Sequence, residues 1–163
     1  MVGNLFGRGI ALSSGGKFER NRPHAYPDLI ALDRKNCKDF EIKVALETNK
    51  PKGHLPKPGP HLTVHYVLGD SEGRYTRGKK TRGDVVWIWA VRVGELELAD
   101  FQVSNTPGDS GKTAVLSAAA LAKLSPVFVS IEHCPHPVSG KNYREMELLV
   151  LTAKAAPKPK PPQ

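Results

Sequence analysis

Short apolar runs, separated by polar and glycine- or proline-rich segments, set the pattern of this chain. Leu29-Ile30-Ala31-Leu32 is headed by Pro27-Asp28, and Asp33-Arg34-Lys35-Asn36 after it reads as a turn. The next run, Phe40-Glu41-Ile42-Lys43-Val44, alternates. Glu41 and Lys43 share one face of a strand, while Phe40, Ile42 and Val44 share the other. His61 to Leu68 alternates as well, with His61, Thr63 and His65 against Leu62, Val64, Tyr66 and Leu68. Strands are predicted near 29–33, 39–47, 61–68, 84–93 and 95–104, with Gly94 turning the last two into a hairpin at the back of the sheet. Trp87 and Trp89 share a face and read as core or subunit-contact residues. The alanine-rich stretch 113–124 predicts a helix ended by Pro126. Val127–Ile131 then reads as a buried strand returning by a right-handed crossover.

Other segments resist regular structure. Gly3, Gly7, Gly9, Gly15 and Gly16 make residues 1–24 a glycine-rich lead with at most one short helix. Four prolines between Asn49 and Pro60 argue against any regular element there, and residues 69–83 form a glycine-rich, basic loop. Residues 143–153 suit either an edge strand or a short helix. The Pro/Lys tail 154–163 has nothing to build a core from and is expected to be disordered. The expectation is one domain over 1–153, of the α/β (α+β) class, with a central mixed sheet flanked by helices.

If the Asp28 and Glu41 runs are antiparallel neighbours, Asp28 lies beside Glu41 and Lys43. Two carboxylates and one ammonium at a point suit a hard divalent cation and a phosphodiester. Carboxylate oxygens ligate such an ion, and the ammonium orients water or stabilises charge growing on phosphate. The bland alternative is a surface salt bridge on an exposed sheet face.

Pro27-Asp28 with Glu41-Ile42-Lys43 resembles the PD-(D/E)xK nuclease signature, especially as it occurs in type II restriction endonucleases. Val85–Val91 and Ser125–Val129 resemble core strands of small enzymes of this kind, so the likeness spans residues 17–132, with the signature its specific part. The resemblance implies a restriction-endonuclease-like core. It implies that Asp28, Glu41 and the backbone carbonyl of Ile42 ligate Mg2+, and that Lys43 serves the attacking water. It further implies double-stranded DNA as substrate and a homodimer. Family members often carry another acidic residue on a helix before the first strand, for which Glu19 is the one candidate.

Charge adds a partner. The chain carries 24 Lys and Arg against 16 Asp and Glu, a net +8. Lys50, Lys52, Lys57, Arg74, Arg77, Lys79, Lys80 and Arg82 face only Asp70 and Glu72 between Lys50 and Arg82. Such a cluster follows a phosphate backbone, and with His54 these residues form the expected DNA-binding set. Thr106–Thr113 resembles a phosphate-binding loop with Thr106 in place of its first glycine. A cap for the following helix is the plainer reading, with Lys112 reaching a DNA phosphate. Glu132–His136 offers imidazole and thiol groups, but Cys37 is the only further thiol, which argues against structural zinc. No long apolar segment suits a membrane, Met1–Arg20 lacks the apolar stretch of a secretion signal, and two cysteines fit a cytoplasmic protein. Within the same chemistry, a structure-specific repair or recombination nuclease is the nearest rival. A non-catalytic basic DNA-binding module is the rival from another class.

Overall fold

In the computed structural model, which describes residues 2–74, 83–104, 113–130 and 132–135, the N-terminal segment is not a broken lead but a helix, α1 (Val2–Ser13). Its glycines explain the difference. A Cβ at Gly3 would lie 3.4 Å from Val44 Cγ1, and one at Gly7 only 3.0 Å from Ile42 Cδ1 and 3.1 Å from Arg20 Cδ. Both therefore let the helix approach the sheet closely, and Phe6 and Ile10 pack on Leu29, Ile42 and Val64. Tertiary burial outweighs the poor helix propensity of glycine. Gly15 and Gly16, at φ +62° and +80°, then end the helix.

Strands β1 (Phe18–Arg20) and β2 (Leu29–Ala31) form an antiparallel pair. Glu19 sits on β1 opposite Ile30, exposed, and not on a helix. A single antiparallel bridge, Leu29 to Phe40, joins β2 to the start of β3 (Glu41–Leu46), with both backbone hydrogen bonds at 2.9 Å. The chain then makes the two-residue strand β4 (Lys52–Gly53) inside the proline-rich stretch expected to have no regular element. Next comes β5 (Gly59–Gly69), which runs parallel to β3 with Glu41 opposite His61 and Lys43 opposite Thr63. β6 (Val85–Leu96) is antiparallel to β5.

The expected hairpin at Gly94 is absent. β6 passes straight through Gly94, where a Cβ would lie 2.8 Å from Leu124 Cδ2, so the glycine admits a neighbour and does not turn the chain. The turn comes at a short 3-10 helix, Leu98–Asp100, and β7 (Phe101–Ser104) leaves for another sheet. Residues 113–116 are β8 (Thr113–Leu116), not helix. Ala114 and Leu116 alternate inward and pair with β7 and β4, so pairing overrides alanine's helix preference. Only α2 (Ala118–Lys123) is helical, started by Ser117, whose hydroxyl accepts from the Ala120 N–H at 3.0 Å. Finally β9 (Ser125–Val129) pairs antiparallel with β6 and leaves Val127 and Phe128 exposed, so it is neither a parallel crossover strand nor buried.

The result is a mixed α+β fold. A four-stranded mixed sheet, β3-β5-β6-β9, is accompanied by the small sheet β4-β8-β7 and the β1-β2 pair. α1 covers one face of the central sheet. The small sheet, not a helix, covers the opposite face among the described residues. Gly53 of β4 lies against Lys43, and Phe101 of β7 lies against His61 with ring centroids 5.7 Å apart. Leu96, Phe101, Ala114, Leu116, Ala120 and Leu124 form the core between the small sheet, α2 and the end of β6. Trp89 is buried, donating Nε1–H to the Glu47 carbonyl at 3.1 Å, as its core assignment expects. Arg77, Lys79, Lys80, Arg82, Lys112, the loop 106–112 and residues 143–163 lie outside the described residues.

Candidate functional site

The antiparallel bridge does what the spacing of the two runs requires. It brings Asp28, at the head of β2, alongside the first residues of β3. Asp28 Oδ2 accepts the Ile42 backbone N–H at 2.9 Å. In a strand, the N–H and C=O of one residue leave on the same side, so the Ile42 carbonyl also faces this edge, away from β5. Arg20 fixes Asp28 from behind. Its Nη1 donates to Oδ1 at 3.0 Å and to the Asp28 carbonyl at 2.5 Å, while Nη2 donates to Asn4 Oδ1 of α1 at 2.6 Å. One guanidinium thus ties α1, β1 and the head of β2 together.

Glu41 and Lys43 do share a face, but not an exposed one. Their side chains retain 6% and 8% of their surface, and Lys43 Nζ meets Glu41 Oε1 at 2.5 Å. The surface-salt-bridge alternative therefore fails on burial. Gly53 seals the pair, since a Cβ there would lie 2.8 Å from Lys43 Nζ. A second ammonium, that of Lys57, lies 3.7 Å from the same Oε1.

β5 extends this polar face. His61, Thr63 and His65 stand opposite Glu41, Lys43 and Ala45 in register, and all three are buried, not half-exposed as strand alternation alone suggests. His61 Nδ1 lies 2.9 Å from the Gly59 carbonyl, so it carries the hydrogen and leaves Nε2 as an acceptor. Burial first, then Lys43, lowers the His61 pKa, against the raising effects of the Gly59 carbonyl, Glu41 and Asp28. Deeper along the strand, burial and Arg92 push His65 down to about 4, and the two side chains approach to 3.3 Å. The register of β5 with β6 shifts between His65 and Tyr66.

Among the described residues, the buried side-chain polar atoms with no hydrogen-bond partner are Glu41 Oε2, His61 Nε2 and Thr63 Oγ1. All three belong to one face of two adjacent strands. A buried polar atom left unpaired costs about 1–3 kcal/mol, and a water or a bound group between the two strands would relieve all three. No three His, Cys, Asp or Glu residues gather closely enough to hold an ion by themselves among the described residues. The acidic groups at this edge are Asp28, bonded to the Ile42 N–H, and Glu41, bonded to Lys43.

The expected DNA-binding residues divide. Lys50, Lys52 and His54 are exposed on and beside β4, whose Gly53 lies against Lys43. Lys57 turns inward to Glu41. Arg74 is already held by Asp70 at 2.8 Å and Glu72 at 2.7 Å. Sequence reading missed Arg20 and the pairing of His61 and Thr63 with Glu41 and Lys43. The matching period of Glu41-x-Lys43 and His61-x-Thr63 was the available signal, but it becomes legible only once the strands are known to be parallel neighbours. Among the described residues no helix is long and apolar enough to cross a membrane. The chain matches no protein-family model, no curated protein and no solved structure.

Proposed function

We propose that this chain is a Mg2+-dependent endodeoxyribonuclease that hydrolyses DNA phosphodiester bonds, with sequence-specific cleavage of double-stranded DNA by a homodimer as the preferred form. The observation that carries the reading is the unpartnered, buried Glu41 Oε2, one residue from an N–H held by the Asp28 carboxylate. Asp28, Glu41 and the Ile42 carbonyl are oxygen donors of the kind Mg2+ takes. Bound there, the ion supplies Lewis-acid polarisation of a phosphoryl oxygen and a more acidic water. The protein's own groups do the rest. Arg20 keeps Asp28 aimed, and Lys43, held on Glu41 Oε1, serves the attacking water. The covering small sheet excludes bulk water, which strengthens each of these interactions. Lys50, Lys52 and His54, exposed on and beside β4, serve as contacts to the DNA backbone. For the dimer, support comes from α1. It exposes Leu5 and Leu12 beside an open apolar groove lined by Val2, Phe6, Ile10, Val86 and Ile88.

The test is incubation of the purified protein with plasmid and phage DNA, methylated and unmethylated, in Mg2+ or EDTA. Discrete fragments that require Mg2+ are the expected result. Tight, salt-sensitive binding of every DNA without any cleavage would overturn it and leave the Glu41–Lys43 pair as a structural element of a binding module.

A further inference from the structure

One side chain of the loop after β4 reaches the Glu41–Lys43 pair. Lys57 Nζ lies 3.7 Å from Glu41 Oε1 and 4.5 Å from the centre of the Tyr26 ring. Tyr26 donates its hydroxyl to the Pro58 carbonyl at 2.8 Å. Gly59, at φ +119°, passes close by, where a Cβ would lie 3.3 Å from that hydroxyl. So Tyr26, two residues before Asp28, fastens the residue after Lys57. The Tyr26 phenol feels the site too, its pKa raised by burial and then by Glu41 and Asp39.

The two lysines on Glu41 are not equivalent. Lys43 is sealed beneath Gly53, whereas the Lys57 side chain keeps 33% of its surface. Of the two lysines on Glu41, Lys57 is the one open to an entering anion. An ammonium resting on one carboxylate oxygen and one ring still has hydrogen-bond donors to give, and lysine binds phosphate as a point charge.

We propose that Lys57 is a second lysine of the site, a phosphate-gripping one. It rests on Glu41 in the free protein and passes to a nucleic-acid backbone phosphate when a strand enters. This is a narrower role than the general pull of a basic loop, and it rests on the nuclease reading for where that phosphate lies. It carries a signature of two opposite signs. Removing Lys57 takes a positive charge away from Glu41, so a divalent cation binds more tightly. The same change removes a phosphate partner, so DNA binds more weakly. A lysine that merely solvates the surface leaves the cation unaffected, and a structural prop weakens both.

The experiment uses the full chain as wild type, Lys57→Ala and Lys57→Arg, with Lys52→Ala as an exposed control from the same segment. Mn2+ binding is read from the free-ion paramagnetic resonance signal. Duplex affinity is read by fluorescence anisotropy in EDTA over a salt series, and cleavage is scored in parallel. Lys57→Ala is expected to tighten Mn2+ roughly three- to tenfold. It should also weaken duplex binding and lower the salt slope by about 1. Lys57→Arg should stay near wild type in both, and Lys52→Ala should weaken DNA with Mn2+ unmoved. Mn2+ affinity unchanged or weaker in Lys57→Ala, in a wild type that binds Mn2+ and cuts DNA, overturns the proposal and leaves the nuclease reading standing. A wild type that neither binds Mn2+ nor cuts overturns the nuclease reading. Lys57 is then judged on the DNA arm, where an unchanged salt slope sinks it and a slope lowered by about 1 sustains the phosphate grip.

Discussion

The two faces of β3 and β5 come from alternate residues of the same strands, yet they are filled in opposite ways. Toward α1 stand Ile42, Val44, Leu62 and Val64, packed on Phe6 and Ile10. Toward the small sheet stand Glu41, Lys43, His61, Thr63 and His65, buried as well. Apolar burial on the first face stabilises the fold at about 25 cal/mol per Å2 removed from water. On the second face, a buried ion pair must overcome the desolvation of both charges, and three polar atoms have no partner. A row of leucine and valine there would hold the sheet together better. The same two strands thus bury apolar groups on one face and charged and polar groups on the other, the second at the higher desolvation cost.

The largest expected effect comes from breaking the polar face on one side only. Lys43→Met leaves Glu41 buried with only the more distant Lys57 beside it and should lower unfolding free energy by about 3 kcal/mol, measured by urea titration. Adding Glu41→Gln should restore much of that loss. If the double variant is less stable than Lys43→Met, the pair contributes net stability and the contrast between the faces is wrong.

The next effect is on pH. Burial and Arg92 hold His65 near 4 against 6.5 for the free side chain, so the unfolded chain takes up the proton first. This contribution is fully present above pH 6.5 and is lost as pH falls through that value toward 4, on the order of 3 kcal/mol. His61 shifts in the same direction. Urea titrations between pH 7.5 and 4.5 should show stability falling with acid, and His65→Gln should flatten much of the slope. A slope left unchanged by His65→Gln would place the acid sensitivity elsewhere.

The apolar face can be probed from α1. Gly7→Val would drive side-chain atoms into Ile42 and Arg20 and should destabilise by roughly 1–3 kcal/mol in a thermal or urea melt. Gly9 has nothing within 4 Å, so Gly9→Ala should gain up to about 1 kcal/mol from helix propensity alone. Equal effects at both positions would mean that α1 does not seat on β3 through Gly7.

How much of this was legible in the sequence differs from residue to residue, for physical reasons. Period-two alternation is local, and it correctly separated Ile42 from Glu41 and Lys43, and Val64 from His61 and Thr63. The turn at Asp33–Asn36 and the spacing of Asp28 and Glu41 foretold their antiparallel meeting. Glycine misled in two places, because its identity does not say whether it breaks an element or lets a neighbour approach. Gly3 and Gly7 admit β3, and Gly94 admits Leu124. At Thr113–Leu116, alanine's helix preference lost to pairing with β7 and β4, which comes from residues distant in the chain. The parallel register of β3 and β5 is equally non-local, so the burial of His61 and Thr63 beside Glu41 stayed hidden.

The proposed activity, divalent-ion-dependent phosphodiester hydrolysis, is assigned to the edge where β2 meets β3. The most direct test is the rate of supercoiled plasmid cleavage in Mg2+ by wild type and Asp28→Asn, with circular dichroism melts showing that both are folded. Asp28 is only partly buried, so the variant should keep the fold. The expected result is Mg2+-dependent cleavage by wild type and a loss of at least about 100-fold in Asp28→Asn, as for a group acting at the reacting centre. Equal cleavage rates from the two folded proteins, or none from wild type on any DNA, would contradict it.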